Sequence, residues 1–158
     1  VRLFAQSLLD ELAAKASASP RARAHFNIHA SPEERVQRFF VAVNRNSYIR
    51  PHRHNTRAEL AMVVRGSFDV LTFDEHGTVT ARYTVGEANA TMGFEMAPAT
   101  WHTLIAHSDG CAFLEIKEGP YDPAVAAEFA PWAPAEGDPA VPAFLERIRT
   151  AQPGASLR

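Results

Sequence analysis

Pro51-His52-Arg53-His54-Asn55-Thr56-Arg57-Ala58-Glu59 is the stretch on which the reading of this 158-residue chain turns. Two imidazoles two residues apart lie on one face of an extended segment, so His52 and His54 can share a single ion. After four intervening residues, enough chain for a tight reversal, Glu59 begins the next run of strand-forming residues and can aim a carboxylate at the same point. Pro51 biases Arg50 toward an extended backbone and keeps the approach to the site straight. Much later, Trp101-His102 follows a turn at Pro98 and opens another such run. Three neutral imidazoles and one carboxylate suit one divalent transition ion, Zn, Fe, Mn, Ni or Co, with one or two positions left for water or substrate.

Outward from this stretch the pattern is short and β-like. Phe39–Val43, Ala61–Val64, Phe68–Phe73, Val79–Val85, Met92–Met96, Thr103–Ala106 and Ala112–Ile116 are runs of strand length. Asn44–Asn46, Gly66, Asp74–Gly77, Gly86 and Ser108–Gly110 separate them, residue types that turns favour. The intervals leave no room for crossover helices, so a parallel α/β fold is excluded and an all-β sandwich or barrel is expected. Leu3 to Lys15 carries leucines at roughly one-turn spacing and reads as an amphipathic helix, ended by Ser17, Ser19 and Pro20. Beyond Lys117 the composition turns proline-rich, an irregular tail expected to wrap the barrel, with a short helix at Phe144–Ile148. The expected organisation is one structural domain: a lead-in at residues 1–36, a barrel at 37–118 and a wrapping tail at 119–158.

Composition narrows the partners. A net charge of -2 without any local basic run gives nothing to neutralise phosphates, so nucleic acid is excluded. The single cysteine, Cys111, cannot form an internal disulfide and reads as a small buried apolar residue. No signal peptide or membrane span is indicated, and a cytoplasmic location is the expectation.

The spacing Asn46, five residues, His52-x-His54, four residues, Glu59, six residues, Gly66 resembles the first cupin motif. Asn46 stands where that family usually has glycine, a replacement that tolerates positive φ. Glu95 to His102 resembles the second motif, with its proline one place late and Ala99 where the turn glycine is expected. More widely, Ser19-Pro20-Arg21-Ala22-Arg23, Asn27-Ile28-His29-Ala30, Gln37-Arg38, Tyr48 to His54, Trp101-His102-Thr103, Lys117 to Tyr121 and Phe129 to Pro134 resemble the WbuC family of cupin-fold metalloproteins. That resemblance implies a double-stranded β-helix, a jelly-roll barrel with a metal inside, in a bacterial family met in some O-antigen polysaccharide gene clusters. It also implies a homodimer.

Candidate roles follow. His52, His54, Glu59 and His102 are the metal ligands. Arg50 precedes the ligand pair by two, hence shares its face, and could clamp a carboxylate or phosphate. His29 and Asn27 either reach over the barrel mouth to bind substrate or form a hydrogen-bonded corner, with His29 the best candidate for a general base. Gln37 and Lys117 are further substrate-binding candidates, and Tyr121 is either a packing anchor or a sugar platform. His25, His76 and His107 are expected at the surface without a role. The function expected is metal-dependent isomerase, epimerase or lyase chemistry on a small polar metabolite, a sugar or sugar acid. An Fe(II) dioxygenase and a non-catalytic binding module are the alternatives.

Overall fold

A computed structural model describes all residues from Val1 to Arg158. It contains α1 (Gln6–Ala18), ten strands and α2 (Val141–Thr150). The strands are β1 (Arg23–Asn27), β2 (Val36–Val43), β3 (His52–Arg53), β4 (Glu59–Arg65), β5 (Ser67–Phe73), β6 (Val79–Gly86), β7 (Gly93–Met96), β8 (Trp101–Ala106), β9 (Cys111–Glu118) and β10 (Glu128–Phe129). They form two five-stranded antiparallel sheets in the orders β1-β2-β9-β4-β7 and β10-β3-β8-β5-β6. The expected barrel is thereby corrected: the sheets are separate layers of a jelly-roll sandwich, not one hydrogen-bonded ring. The chain closes the space between them by packing across it.

Alternation decides which residues enter that space. Val41, Val43, Ala61, Cys111 and Phe113 from the first sheet meet Phe68, Val70, Val85, Leu104 and Ala106 from the second in one apolar cluster. The intervening positions face outward and are covered by the helices. Leu9, Leu12 and Ala16 of α1 pack on Phe40, Ala42 and Ala112. Phe144, Leu145 and Ile148 of α2 pack on Leu71, Phe73 and Ile105, together with Tyr48, Trp101 and Ala133. The helix expected at Leu3–Lys15 begins later and runs on to Ala18, and the short helix at 144–148 extends in both directions.

Three turn positions bear on the motif resemblance. Gly66 has φ +70, and a Cβ there would lie 2.5 Å from Cys111 Sγ, so conformation and space both call for glycine. Ala99, in the second glycine position, adopts φ 61, and its N–H reaches His54 O at 2.8 Å. Asn46 corrects the expectation placed on it, since its φ is not positive.

Phe68 is fully buried, its ring edge-on to Phe113 at 5.4 Å between centroids. Phe68→Ala is expected to destabilise the protein by about 3–5 kcal/mol through lost transfer energy and the cavity left behind. A denaturant midpoint lowered at unchanged slope would register this; a shift below about 1 kcal/mol would show that this end of the core can collapse around the gap.

Candidate metal centre and the adjoining cavity

The sandwich interior is apolar at the Phe68 end and polar at the other. Along β8, His102 continues the inward face of Leu104 and Ala106, and it is the register partner of both His52 and Thr72. Opposite, Glu59 pairs with Lys117, and Lys117 pairs with Gln37, so β4, β9 and β2 carry one inward row from Glu59 to Gln37. Glu115 lies next to this row, two residues before Lys117 on the same face of β9. His54 sits just past β3, and the chain reverses through residues 55–58 before Glu59 opens β4.

Each imidazole is oriented through its Nδ1. His52 Nδ1 donates to Arg50 O at 2.9 Å, His102 Nδ1 to Thr100 O at 2.8 Å, and His54 Nδ1 to Ala126 O at 2.6 Å. A carbonyl oxygen only accepts, so each Nδ1 carries the proton and each neutral ring keeps its lone pair on Nε2. One ligand atom from each of the three rings lies within 4.8 Å of the others. Glu59 Oε2 is 2.9 Å from His54 Nε2, and Glu59 Oε1 is 3.5 Å from His102 Nε2. Close as these contacts are, neither nitrogen makes a well-directed hydrogen bond, and both are shut off from solvent. Lone pairs of buried nitrogens held against a carboxylate call for a positive charge between them, and three imidazole nitrogens with one carboxylate fit a divalent transition ion.

Without an ion the electrostatics bear the same mark. Burial works to raise the Glu59 carboxyl and lower the His102 imidazole, yet their mutual contact prevails. Glu59 is held well below the usual carboxylate range, with His54 and Lys117 adding to the effect, and His102 is raised. His52 is pushed down to about 3, first by burial and then by the charge of His102. Glu115 is pushed up to about 7 by burial and by the nearby charge of Glu59. Lys117, 2.5 Å from Glu115, stays charged because the carboxylates outweigh its burial.

A cavity of about 510 Å³ opens over the inward face of β1, β2 and β9; none of the four candidate ligands lines it, and Lys117, the register partner of Glu59, is its link to the cluster. Asn27, His29, Gln37, Lys117 and Tyr121 all line it; Arg50 does not. The Arg50 guanidinium instead donates to Ala130 O at 2.9 Å and lies over the Phe129 ring. His29 has Nδ1 within 3.0 Å of both the N–H and the carbonyl of Arg38, which leaves Nε2 for other partners. The Gln37 amide nitrogen donates to Pro32 O and Glu34 O, so only its oxygen is free, an acceptor. Three further lining residues, Arg21, Arg23 and His25, escape the sequence reading as site residues; the Pro20-Arg21-Ala22-Arg23 run is their only signal. His107 lies at the surface and contacts Asp69 at 3.1 Å.

The segment after β9 closes over this region. Gly119 N–H bonds Arg35 O and Tyr121 N–H bonds Pro32 O. Farther on, β10 pairs Glu128 with Arg53 and Phe129 with His52, and the Glu128 carboxylate accepts from Arg53 and Asn55. One ligand ring, that of His54, is thus oriented from outside the two large sheets.

Residues 4–85 match the model of a family described as a domain of unknown function, DUF6016. No curated protein matches the chain. Among solved structures, it is similar to a cupin 2 domain-containing protein from Halorhodospira halophila (18% identity, TM-score 0.53, covering 84% of this chain and 85% of that one). It is similar to a cupin 2 conserved barrel domain protein from Rhodopseudomonas palustris (20%, 0.52, 83% and 79%) and to KdgF from Halomonas sp. (16%, 0.51, 66% and 84%). At such identities the likeness establishes a cupin-like fold and nothing of the chemistry. No helix is long and apolar enough to cross a membrane.

Proposed function

Because the chain belongs to the DUF6016 family, whose name assigns no reaction, we propose its function from its own residues: a metal-dependent enzyme acting on a small, polar, anionic metabolite of the sugar-acid type. The observation that carries this reading is the convergence of three Nδ1-anchored imidazoles on the Glu59 carboxylate, whose register partner Lys117 stands on the wall of a cavity. A divalent ion held by His52, His54, Glu59 and His102 would polarise a substrate oxygen as a Lewis acid.

The chain's own residues supply the rest. Lys117, between Glu59 and the cavity, presents a fixed positive charge to a carboxylate of the substrate, and Glu115 holds that ammonium in place. Asn27 and Tyr121 offer hydrogen bonds to hydroxyl groups, and the free oxygen of Gln37 accepts one. His29 faces the same cavity with Nε2 unengaged and is the acid–base candidate for isomerase, epimerase or lyase chemistry: Nε2 is a base when Nδ1 donates to Arg38 O, and a proton donor when Nδ1 accepts from Arg38 N–H. Arg50, which does not line the cavity, is assigned to bracing the segment at Phe129 and Ala130. A WbuC-type role in surface polysaccharide synthesis belongs to the same proposal and rests on the sequence resemblance, as does the homodimer; the cytoplasmic location rests on sequence composition.

The test is turnover. Metal-loaded protein incubated with a panel of aldonic and uronic acids, followed by NMR, is expected to convert at least one of them. Activity should vanish with chelator and fall by at least about 100-fold in Lys117→Met, the typical reach of one electrostatic contact in a dry site. A ligand that binds in a metal-dependent way and is recovered unchanged after long incubation would replace the enzyme with a binding module.

A further inference from the structure

Arg21 and Arg23 have no part in the metal centre, yet their geometry is tightly constrained. Between them Ala22 adopts φ 52, a left-handed conformation that residues with a side chain rarely enter and that the surrounding structure must enforce. Its N–H bonds Ser19 O and its carbonyl accepts from Asn44 N–H, both at 2.9 Å. With the chain so turned, the two guanidinium groups converge on one carboxylate, that of Glu136. Arg21 meets it as a fork, Nε to Oε2 at 2.7 Å and Nη2 to Oε1 at 2.9 Å, and Arg23 adds Nη2 to Oε1. Arg23 is only 15% exposed and is braced from behind, its Nη1 donating to Tyr48 O at 3.0 Å and Ser47 Oγ at 3.3 Å.

Both arginines also line the cavity that Lys117 borders, while Glu136 does not. The neighbouring, smaller cavity of about 280 Å³ is lined by both arginines and Glu136, so the pair stands between the two cavities and Glu136 meets it from the smaller one. Every charged side chain on the wall of the larger cavity is cationic or a histidine; no carboxylate lines it. Two guanidiniums facing one carboxylate leave an excess positive charge at its far end. Arg23 pairs with Val43 and Lys117 with Gln37, so the two ends stand six residues apart along β2, roughly 20 Å.

We propose that the Arg21–Arg23 pair is an anion subsite of this cavity, occupied in cis by Glu136, and that the ligand is an elongated, hydroxyl-rich molecule whose carboxylate or phosphate displaces Glu136 there. The fork that holds a carboxylate in this structure fits the same group on a ligand, and phosphate by the same geometry. Polar groups along the wall, from His25 through Asn27 to Tyr121, match a hydroxylated body between the ends. The part of the ligand that reaches the metal rests on the function proposed above; the subsite itself does not.

The 158-residue protein is titrated with inorganic phosphate and, separately, with acetate at constant ionic strength, following the side-chain Nε–H signals of Arg21 and Arg23 by NMR. Glu136→Gln removes the competing charge and is expected to tighten the saturable shift at least tenfold over the parent. Adding Arg23→Ala to that variant should abolish it. Whichever anion saturates first identifies the group as phosphate or carboxylate. The His52→Ala/His54→Ala protein should keep the response, so loss of the metal reading and loss of the subsite are told apart. Equal affinity in the parent and Glu136→Gln, with only a lower Tm in the variant, would make Glu136 a structural tie and overturn the proposal. Should Glu136→Gln not fold, Arg21→Ala in the parent decides the same question: weaker phosphate binding upholds the subsite and unchanged binding removes it.

Discussion

Replacing His52 and His54 together by alanine is expected to take bound divalent metal from near one equivalent per chain to about a tenth or less, in protein purified without chelator or histidine tag. Loss of a group that merely orients a ligand commonly weakens metal affinity by about 10–100-fold, and here two of four donors go at once. The remaining pair, Glu59 and His102, comes from opposite sheets and keeps one carboxylate and one ring against each other. Truncating His52 touches only a two-residue strand, so the sandwich should survive and circular dichroism should be unchanged. Elemental analysis of both proteins decides between the outcomes and names the metal. Equal metal in the two would remove these histidines from the site; none in either would bring the non-catalytic binding reading forward.

The second large effect is on stability against pH in the metal-free protein, and its sign differs between windows. His52, with a folded pKa near 3 against about 6.5 unfolded, takes its proton only on unfolding, so its contribution is lost as pH falls from 6.5 toward 3. Glu115, raised to about 7 from 4.5, acts oppositely, favouring the folded state as pH falls from 7 to 4.5. Between 4.5 and 6.5 the two oppose and stability should be nearly flat. Below 4.5 Glu115 is protonated in both states, while His52 and the depressed Glu59 both favour unfolding. Raised His102 works only above 6.5, where its stabilisation fades as pH rises through its folded pKa. Among the groups away from the centre, buried Asp69 adds to the acid limb: burial opposes its depression, but bonds from Thr84, Arg82 and His107 prevail. Unfolding free energy measured across pH is therefore expected to show a plateau and then a fall of roughly tenfold or more in the folding equilibrium per pH unit. Glu115→Gln should erase the plateau, so that the fall begins near 6.5. A variant curve superimposable on the parent's would show that Glu115 is not the opposing group.

Much of this is legible in the sequence, for physical reasons that also explain the gaps. β4, β5, β6, β8 and β9 are runs of β-branched and aromatic residues bounded by turn formers, recognisable to within a few residues. β1 escapes because its alternation rests on only two apolar residues, Ala24 and Phe26, set between Arg23, His25 and Asn27, which line a cavity and do not enter the core. β10 escapes because a two-residue strand has no period at all. The spacing of His52, His54 and Glu59 is informative because two strands and one reversal fix their relation locally. Sequence spacing cannot show that Arg21, Arg23 and His25 share a wall with Lys117, since that follows from pairing across β1, β2 and β9. Nor can it foresee two open sheets instead of a closed ring, a matter of which strand edges meet.

The carbonyl of Ala126 that steadies His54 also sets a clock. Residues 52–59 leave the ribosome long before residue 102, and residue 102 before residue 126, at about 5–20 residues per second. A divalent ion met early would find two or three donors on a nascent chain with no fixed rings. The complete, oriented set exists only once residue 126 has emerged, so capture of an ion at the proposed centre would come late in folding and would report that the segment after β9 has docked.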